Sequence, residues 1–144
     1  MTEIRKKANI LLVEDNPGDA LLTREALEED PWINITTVEN GEKAMDYLLQ
    51  QKEFRQSSPR PHLIILDLNL PRKSGLELLG EIKQDPRFQS IPVIVLTVSG
   101  SEQDIKQAYA QHANCFIVKP VRLSAFTEII QGIRKFWLDT VILP

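Results

Sequence analysis

The chain lacks the features that mark secreted and membrane proteins. Its 144 residues include one cysteine, which cannot form an internal disulfide, so we expect a reducing compartment. The first seven residues, MTEIRKK, contain no apolar signal-peptide region, and no apolar run approaches the length of a membrane span. The sequence therefore predicts a cytoplasmic protein with no membrane segment.

The chain also lacks an excess of positive charge. Lysine and arginine number 17 against 20 acidic residues, a net charge of -3, whereas nucleic-acid binders normally carry a basic patch. The hydrophobic and charged fractions, 42% and 26%, are ordinary for a globular protein. We predict one domain over residues 1–144, with a short apolar C-terminal extension from about residue 138 to 144, and no nucleic-acid partner.

Five short apolar runs alternate with stretches of helical spacing. The predicted strands are Asn9 to Val13, Asn34 to Val38, Leu63 to Leu66, Pro92 to Leu96 and Cys115 to Val118. Helix-capping residues or apolar periodicity mark a helix after each strand, and Ser124 to Leu138 forms the last and most apolar one. This βα alternation predicts an α/β fold, a doubly wound, five-stranded parallel sheet with five helices. The polar second strand suits a sheet edge, which favours the flavodoxin-like order 2-1-3-4-5.

Polar residues follow the predicted strands at the sheet edge where such folds bind ligands. Glu14-Asp15 end the first strand, Asp67 the third, Thr97 the fourth and Lys119-Pro120 the fifth. Clustered carboxylates suit Mg²⁺, a carboxylate can be a nucleophile that forms an aspartyl phosphate, and a lysine can neutralise phosphoryl oxygens. Taken singly, each has an ordinary explanation as a cap, a strand-end residue or a surface charge. Together, they predict phosphoryl chemistry.

The sequence around these residues resembles the receiver domain of two-component response regulators. The matching segments are LLVEDN at Glu14 and Asp15, LDLNLPRKSG at Asp67, VLTVSG at Thr97 and FIVKP at Lys119. The likeness extends over essentially the whole chain. One departure is the pair Glu14-Asp15, because many members of the family carry two aspartates there; the glutamate also occurs in the family.

The resemblance implies a role for each matched residue. Asp67 becomes the phosphoacceptor, supplied by the phosphohistidine of a sensor histidine kinase, and the only reactions catalysed are this transfer and autodephosphorylation. Mg²⁺ (or Mn²⁺) is bound by Asp15, Asp67 and the backbone carbonyl of Asn69, with Glu14 acting through water or positioning the ion. Thr97 moves toward the phosphoryl group. Further family features are Phe116 as the aromatic switch, alternatively an ordinary core aromatic, and a cis Lys119–Pro120 bond.

The last helix carries more apolar surface than sheet packing needs. Phe126, Ile130, Ile133 and Trp137 form one stripe, and Ile129 and Phe136 form a second beside it. Because the chain ends soon after this helix, we expect no output domain and signalling through helix 4, strand 5 and helix 5. A homodimer there would use Tyr109, Ile129, Phe136, Trp137 and Leu138. The alternative is that the tail folds back onto its own domain.

A finer resemblance suggests the upstream partner. The segments SSPRPHLIILDLNLPRKSG and IRKFWLDTVILP are similar to the small stand-alone response regulators of cyanobacterial phytochromes. The implied partner is a phytochrome histidine kinase, which would place the chain in red/far-red light signalling.

Three other functions are less consistent with the sequence. A haloacid-dehalogenase-type hydrolase needs a general acid two residues after its nucleophile, where this chain has Asn69. A flavin or nucleotide module needs a glycine-rich phosphate loop after the first strand, which is missing. A pseudo-receiver that is never phosphorylated stays an alternative, although the complete set of acidic, threonine and lysine residues disfavours it.

Overall fold

The computed structural model describes residues 7–54 and 58–144. Five parallel strands form one sheet in the order β2-β1-β3-β4-β5, as predicted. Their bounds are β1 Ala8–Val13, β2 Ile33–Val38, β3 Leu63–Leu66, β4 Val93–Thr97 and β5 Cys115–Val118. The polar strand β2 lies at the edge and pairs only with β1 among the described strands, so the position inferred from its polarity is confirmed.

Five α-helices connect and cover the strands. They are α1 Pro17–Glu28, α2 Gly41–Leu48, α3 Gly75–Gln84, α4 Glu102–Ala110 and α5 Leu123–Ile133. Each of the first four follows a polar N-cap residue whose side-chain oxygen accepts the backbone N–H of the residue three positions later. These N-cap residues are Asn16, Asn40, Ser74 and Ser101. These caps satisfy donors that a helix N-terminus leaves unpaired and fix where each helix leaves the sheet. No helix among the described residues is long and apolar enough to cross a bilayer.

The sheet has a separate apolar core on each face. Residues of α2, α3 and α4 pack on one face and residues of α1 and α5 on the other. Alternate residues of β3 point to opposite faces, so Ile64 and Leu66 join the first core and Leu63 and Ile65 the second. All four are at most 1% exposed. This burial on both sides explains the continuous apolar run and holds the following residue, Asp67, at the sheet edge.

Two local predictions need correction. Lys119–Pro120 is trans, because no peptide bond among the described residues is cis; trans is also the form that X–Pro bonds favour by about 0.5–1 kcal/mol. The predicted helix from Ser124 to Leu138 is instead α5 followed by a π-helical turn, Arg134–Leu138, in which the Asp139 N–H donates to the Arg134 carbonyl at 3.1 Å. Apolar periodicity does not distinguish these two helical forms over a single turn.

The polar connection Gln50 to Arg60 is partly packed onto the domain. It contains a 3₁₀ turn, Lys52–Phe54, and the Phe54 ring meets Tyr47 edge-to-face at 5.2 Å between centroids. The Tyr47 hydroxyl also donates to the Pro59 carbonyl at 2.8 Å. Residues 55–57 of this connection, and residues 1–6 at the N-terminus, lie outside the described residues.

Candidate functional site

The predicted site residues converge on the carboxyl edge of the sheet. Glu14 and Asp15 follow β1 and Asp67 follows β3, and these two strands are hydrogen-bonded neighbours. Thr97 ends β4, and its carbonyl accepts the backbone N–H of Lys119 at 2.7 Å. Glu14, Asp67, Thr97 and Lys119 are buried, whereas Asp15 is exposed. Four strands therefore deliver polar side chains to one small region.

Lys119 is the centre of this region. Its ammonium donates to Glu14 Oε2 at 2.7 Å, to Asp67 Oδ2 at 2.8 Å and to Asp19 Oδ2 at 3.0 Å. An ammonium has three N–H donors, so these contacts use all of them. The contacts offset the desolvation cost of a side chain that is only 3% exposed.

The electrostatics of the site favour keeping the ammonium charged and a second cation nearby. Burial and the neighbouring charge of Asp67 raise the pKa of Glu14 from 4.5 to about 7, although its hydrogen bond to Lys119 opposes the rise. Burial lowers the pKa of Lys119, but its hydrogen bonds to Asp67, Glu14 and Asp19 outweigh that effect and the net shift is upward. One ammonium thus faces more carboxylates than it neutralises.

The acidic residues fit a divalent cation. One carboxylate oxygen from each of Glu14, Asp15 and Asp67 lies within 4.8 Å of the other two, so an ion among them would have hard oxygen ligands. Such an ion would also favour the charged form of Glu14, whose pKa is raised mainly by burial and further by the charge of Asp67. The donor set is one that Mg²⁺ and similar ions favour, since it leaves room for water and phosphoryl oxygens.

The loop after Asp67 is held close to its side chain. The Asn69 N–H donates to Asp67 Oδ1 at 3.0 Å, and Asn69 is exposed at the rim of the site. The Gly75 N–H donates to the Leu68 carbonyl at 3.0 Å, and a Cβ at Gly75 would overlap the Asp67 carbonyl oxygen and Leu68 Cα. The absence of a side chain at Gly75 therefore lets α3 begin directly against the Asp67 backbone.

The segment between β4 and α4 is tied to Thr97 and to the first turn of α4. The Ser99 N–H approaches Thr97 Oγ1 at 3.5 Å, while the Ser99 hydroxyl donates to Asp104 Oδ2. Phe116 is half-buried against the α3–α4 side of the core, and its N–H donates to the hydroxyl of exposed Tyr109 at 3.1 Å. The two predicted switch residues, Thr97 and Phe116, therefore lie on the neighbouring strands β4 and β5, next to this segment.

Asp19 is the site residue that the sequence reasoning missed. From the sequence alone, Asp19 is explained as an acidic residue in the first turn of α1, where it suits the positive end of the helix. The signal in the sequence is the spacing. A helix that begins two residues after Glu14-Asp15 keeps its first turn, and so Asp19, at the same edge of the sheet as these two residues. Its contact with Lys119 joins α1 to the site.

The predicted dimer residues divide into two groups. Ile129, Trp137 and Leu138 are half-buried and pack against the α1–α5 side of their own core. Tyr109 and Phe136 are 48% and 53% exposed, and the Phe136 ring meets Trp137 edge-to-face at 5.4 Å. Ile142 in the tail is 99% exposed, so the tail does not bury this side chain on its own domain.

Comparison with known proteins identifies the class that this fold and site define. The response regulator receiver domain family matches residues 10–131, and the chain belongs to that family. It is 46% identical over 136 residues to response regulator Rcp1 of Synechocystis sp., covering 94% of this chain and 92% of that protein.

Two solved structures are similar over almost the whole chain. The Mn²⁺-bound form of Rcp1 has a TM-score of 0.91 and 46% identity, covering 95% of this chain and 99% of that one. The phosphorylated cyanobacterial phytochrome response regulator RcpA has a TM-score of 0.92 and 47% identity, covering 96% and 99%. The chain is therefore a receiver response regulator similar to phytochrome response regulators.

Proposed function

We propose that this chain accepts a phosphoryl group on Asp67 and signals through the surface formed by α4, β5 and α5. The observation that carries the proposal is the hydrogen bond that the Lys119 ammonium donates to Asp67 Oδ2 at 2.8 Å, in a cluster of carboxylates at the sheet edge. This arrangement supports Asp67 as a nucleophile, because the phosphoryl group that it would gain is anionic and the Lys119 ammonium would bind it.

The transfer takes the phosphoryl group from a phosphohistidine of the partner kinase. An Asp67 carboxylate oxygen forms the new P–O bond while the P–N bond breaks. The electron pair of the P–N bond returns to the nitrogen of the histidine ring. Lys119 stays charged and binds a phosphoryl oxygen, and the Thr97 hydroxyl donates to another. We also propose that the chain releases the group by autodephosphorylation, with exposed Asn69 at the rim where water enters.

Glu14, Asp15 and Asp67, with the Asn69 carbonyl, are the residues that would hold Mg²⁺ or Mn²⁺. When bound, the ion offsets negative charge on the phosphoryl oxygens. Asp15 would bind it directly, because its exposed carboxylate contributes an oxygen to the acidic cluster. The Mn²⁺-bound form of Rcp1, a close relative, supports this choice of ion.

The output follows from movement of Thr97 toward the phosphoryl group. That movement would draw the Ser99 segment inward and let Phe116 turn further toward the core.

We propose that residues 1–144 form one receiver domain and that it is a homodimer through the exposed residues Tyr109 and Phe136, with Ile129, Trp137 and Leu138 beneath them. Sedimentation of wild type against the Phe136/Trp137 double alanine variant tests the dimer; wild type that remains monomeric at micromolar concentration contradicts it.

We propose that the chain is cytoplasmic and that its partner is a sensor histidine kinase, a cyanobacterial phytochrome. The similarity to Rcp1 and to the phytochrome response regulator RcpA supports this assignment. Phosphotransfer profiling against a panel of purified histidine kinases tests it, and the expected result is fastest transfer from a phytochrome kinase. Faster transfer from a kinase of another class would contradict the assignment of the partner, but would leave the phosphoacceptor role intact.

Acetyl phosphate labelling tests the function itself without any kinase. With Mg²⁺, wild type is expected to gain one phosphoryl group, and chelation of the ion or the substitution Asp67→Asn is expected to abolish labelling. Glu25→Gln, an exposed site on α1, is the control for lost charge and is expected to label normally. Persistent labelling of Asp67→Asn, or an unlabelled wild type, would contradict the proposal, and the second result would favour a pseudo-receiver.

A further inference from the structure

Asp19 occupies a donor of Lys119 that the proposed reaction needs. The three N–H groups of the ammonium are already shared among Glu14, Asp67 and Asp19. Phosphorylation turns an Asp67 carboxylate oxygen into the bridging oxygen of an acyl phosphate, so the donor now used by Asp67 can pass to one phosphoryl oxygen. A second phosphoryl oxygen at the same ammonium then has to displace Glu14 or Asp19. The question is which carboxylate leaves.

Geometry and burial single out Asp19. Its 3.0 Å contact is longer than those of Glu14 and Asp67, at 2.7 and 2.8 Å. Its side chain is 28% exposed, against 4% and 5% for the other two, so water can replace the lost hydrogen bond only there. Glu14 is held further by the Asn16 N–H at 3.2 Å. A freed Asp19 also remains favourable at the N-terminus of α1.

We propose that Asp19 is a positioning residue that holds Lys119 in the unphosphorylated protein and releases it when Asp67 carries a phosphoryl group. The inference rests on the function proposed above and adds a residue to it. Before phosphorylation, Asp19 keeps the ammonium oriented at the site. After phosphorylation, its contact with Lys119 is lost, so Asp19 lowers the affinity of the site for the phosphoryl group and sets how readily the phosphorylated state forms.

Beryllofluoride, which mimics a phosphoryl group on aspartate, separates this role from a structural one. The measurement is its Kd at saturating Mg²⁺, by isothermal titration calorimetry, together with the Kd for Mg²⁺ alone. Asp19→Asn is expected to bind beryllofluoride about two- to fivefold more tightly, the range for losing an ion pair with a partly exposed partner. Its Mg²⁺ affinity is expected to change less, because Asp19 is not in the acidic cluster.

Two controls test whether the effect passes through Lys119. Glu25→Gln removes the same charge from an exposed position of α1 and is expected to leave beryllofluoride binding unchanged. In a Lys119→Met background, Asp19→Asn is expected to have no additional effect on that binding. Asp19→Ala serves as the second variant, with the same expected direction, and thermal unfolding confirms that each variant is folded.

The outcomes separate this inference from the function on which it rests. Unchanged or weaker beryllofluoride binding by both Asp19 variants, with wild type binding normally, overturns the role of Asp19 and leaves the phosphoacceptor function standing. Equal tightening by Glu25→Gln, or tightening that persists without Lys119, also overturns it, because a general charge effect then suffices. Failure of wild type to bind beryllofluoride overturns both the inference and the proposed function.

Discussion

The raised pKa of Glu14 makes the stability of the metal-free protein depend on pH. Its pKa rises from 4.5 to about 7 through burial and the charge of Asp67. Between those pH values the folded protein keeps a proton that the unfolded chain has released, so stability falls as pH rises. Each pH unit in that window lowers the unfolding free energy by at most about 1.4 kcal/mol. Integrated between the two pKa values, the fall is at most about 2.6 kcal/mol.

Urea denaturation between pH 4.5 and pH 7, with EDTA, measures this dependence. Glu14→Gln carries no titrating group at this position, so the difference between the two proteins isolates Glu14. Wild type is expected to lose stability relative to Glu14→Gln as the pH rises, and saturating Mg²⁺ is expected to reduce that loss. Parallel curves for the two proteins in EDTA would refute the argument, because Glu14 would then titrate alike in the folded and unfolded states.

Three further predictions concern stability. Mg²⁺ at about a hundred times its Kd should raise the unfolding free energy by about 2.7 kcal/mol, and Asp15→Asn should remove most of that gain in a thermal melt. Gly75→Ala should lower the unfolding free energy by about 1–3 kcal/mol in urea denaturation, because its Cβ overlaps the Asp67 backbone. Gly132→Ala has nothing near its Cβ and should stabilise α5 by about 0.5–1 kcal/mol. Equal effects of the two substitutions would contradict the overlap at Gly75. Lys83 donates to the Gln89 and Ile91 carbonyls and to Asn114 Oδ1 at 2.8–3.1 Å, so Lys83→Met should cost about 1–3 kcal/mol in the same assay, and an unchanged midpoint would show these bonds to be replaceable.

The fold was predictable because its pattern is strong and local. The buried run Leu63 to Leu66 matches β3 at both ends, since a strand covered on both faces admits no polar residue. β4 is displaced by one residue, Val93–Thr97 instead of Pro92 to Leu96, because hydrogen bonding with the neighbouring strands, not hydrophobicity, decides where a strand ends. The order 2-1-3-4-5 followed from one polar strand and is confirmed.

The acidic, threonine and lysine residues of the site were also predictable, because parallel strands bring their carboxyl ends to one edge. The contact between Asp19 and Lys119 was not, since it joins residues a hundred positions apart and depends on the angle at which α1 leaves the sheet. The trans Lys119–Pro120 bond and the π-helical turn after α5 likewise depend on local geometry that residue types do not encode. The roles assigned to these residues stay predictions.

Chemical mapping of the phosphorylated carboxylate tests the central claim most directly. Wild type treated with acetyl phosphate and Mg²⁺ is reduced with borohydride, which converts an aspartyl phosphate to homoserine, and the peptides are sequenced by mass spectrometry. We predict homoserine at position 67 alone, with none in the Asp67→Asn variant. Homoserine in place of Asp15 or Asp19, or at no position, would contradict the assignment of Asp67 as the phosphoacceptor.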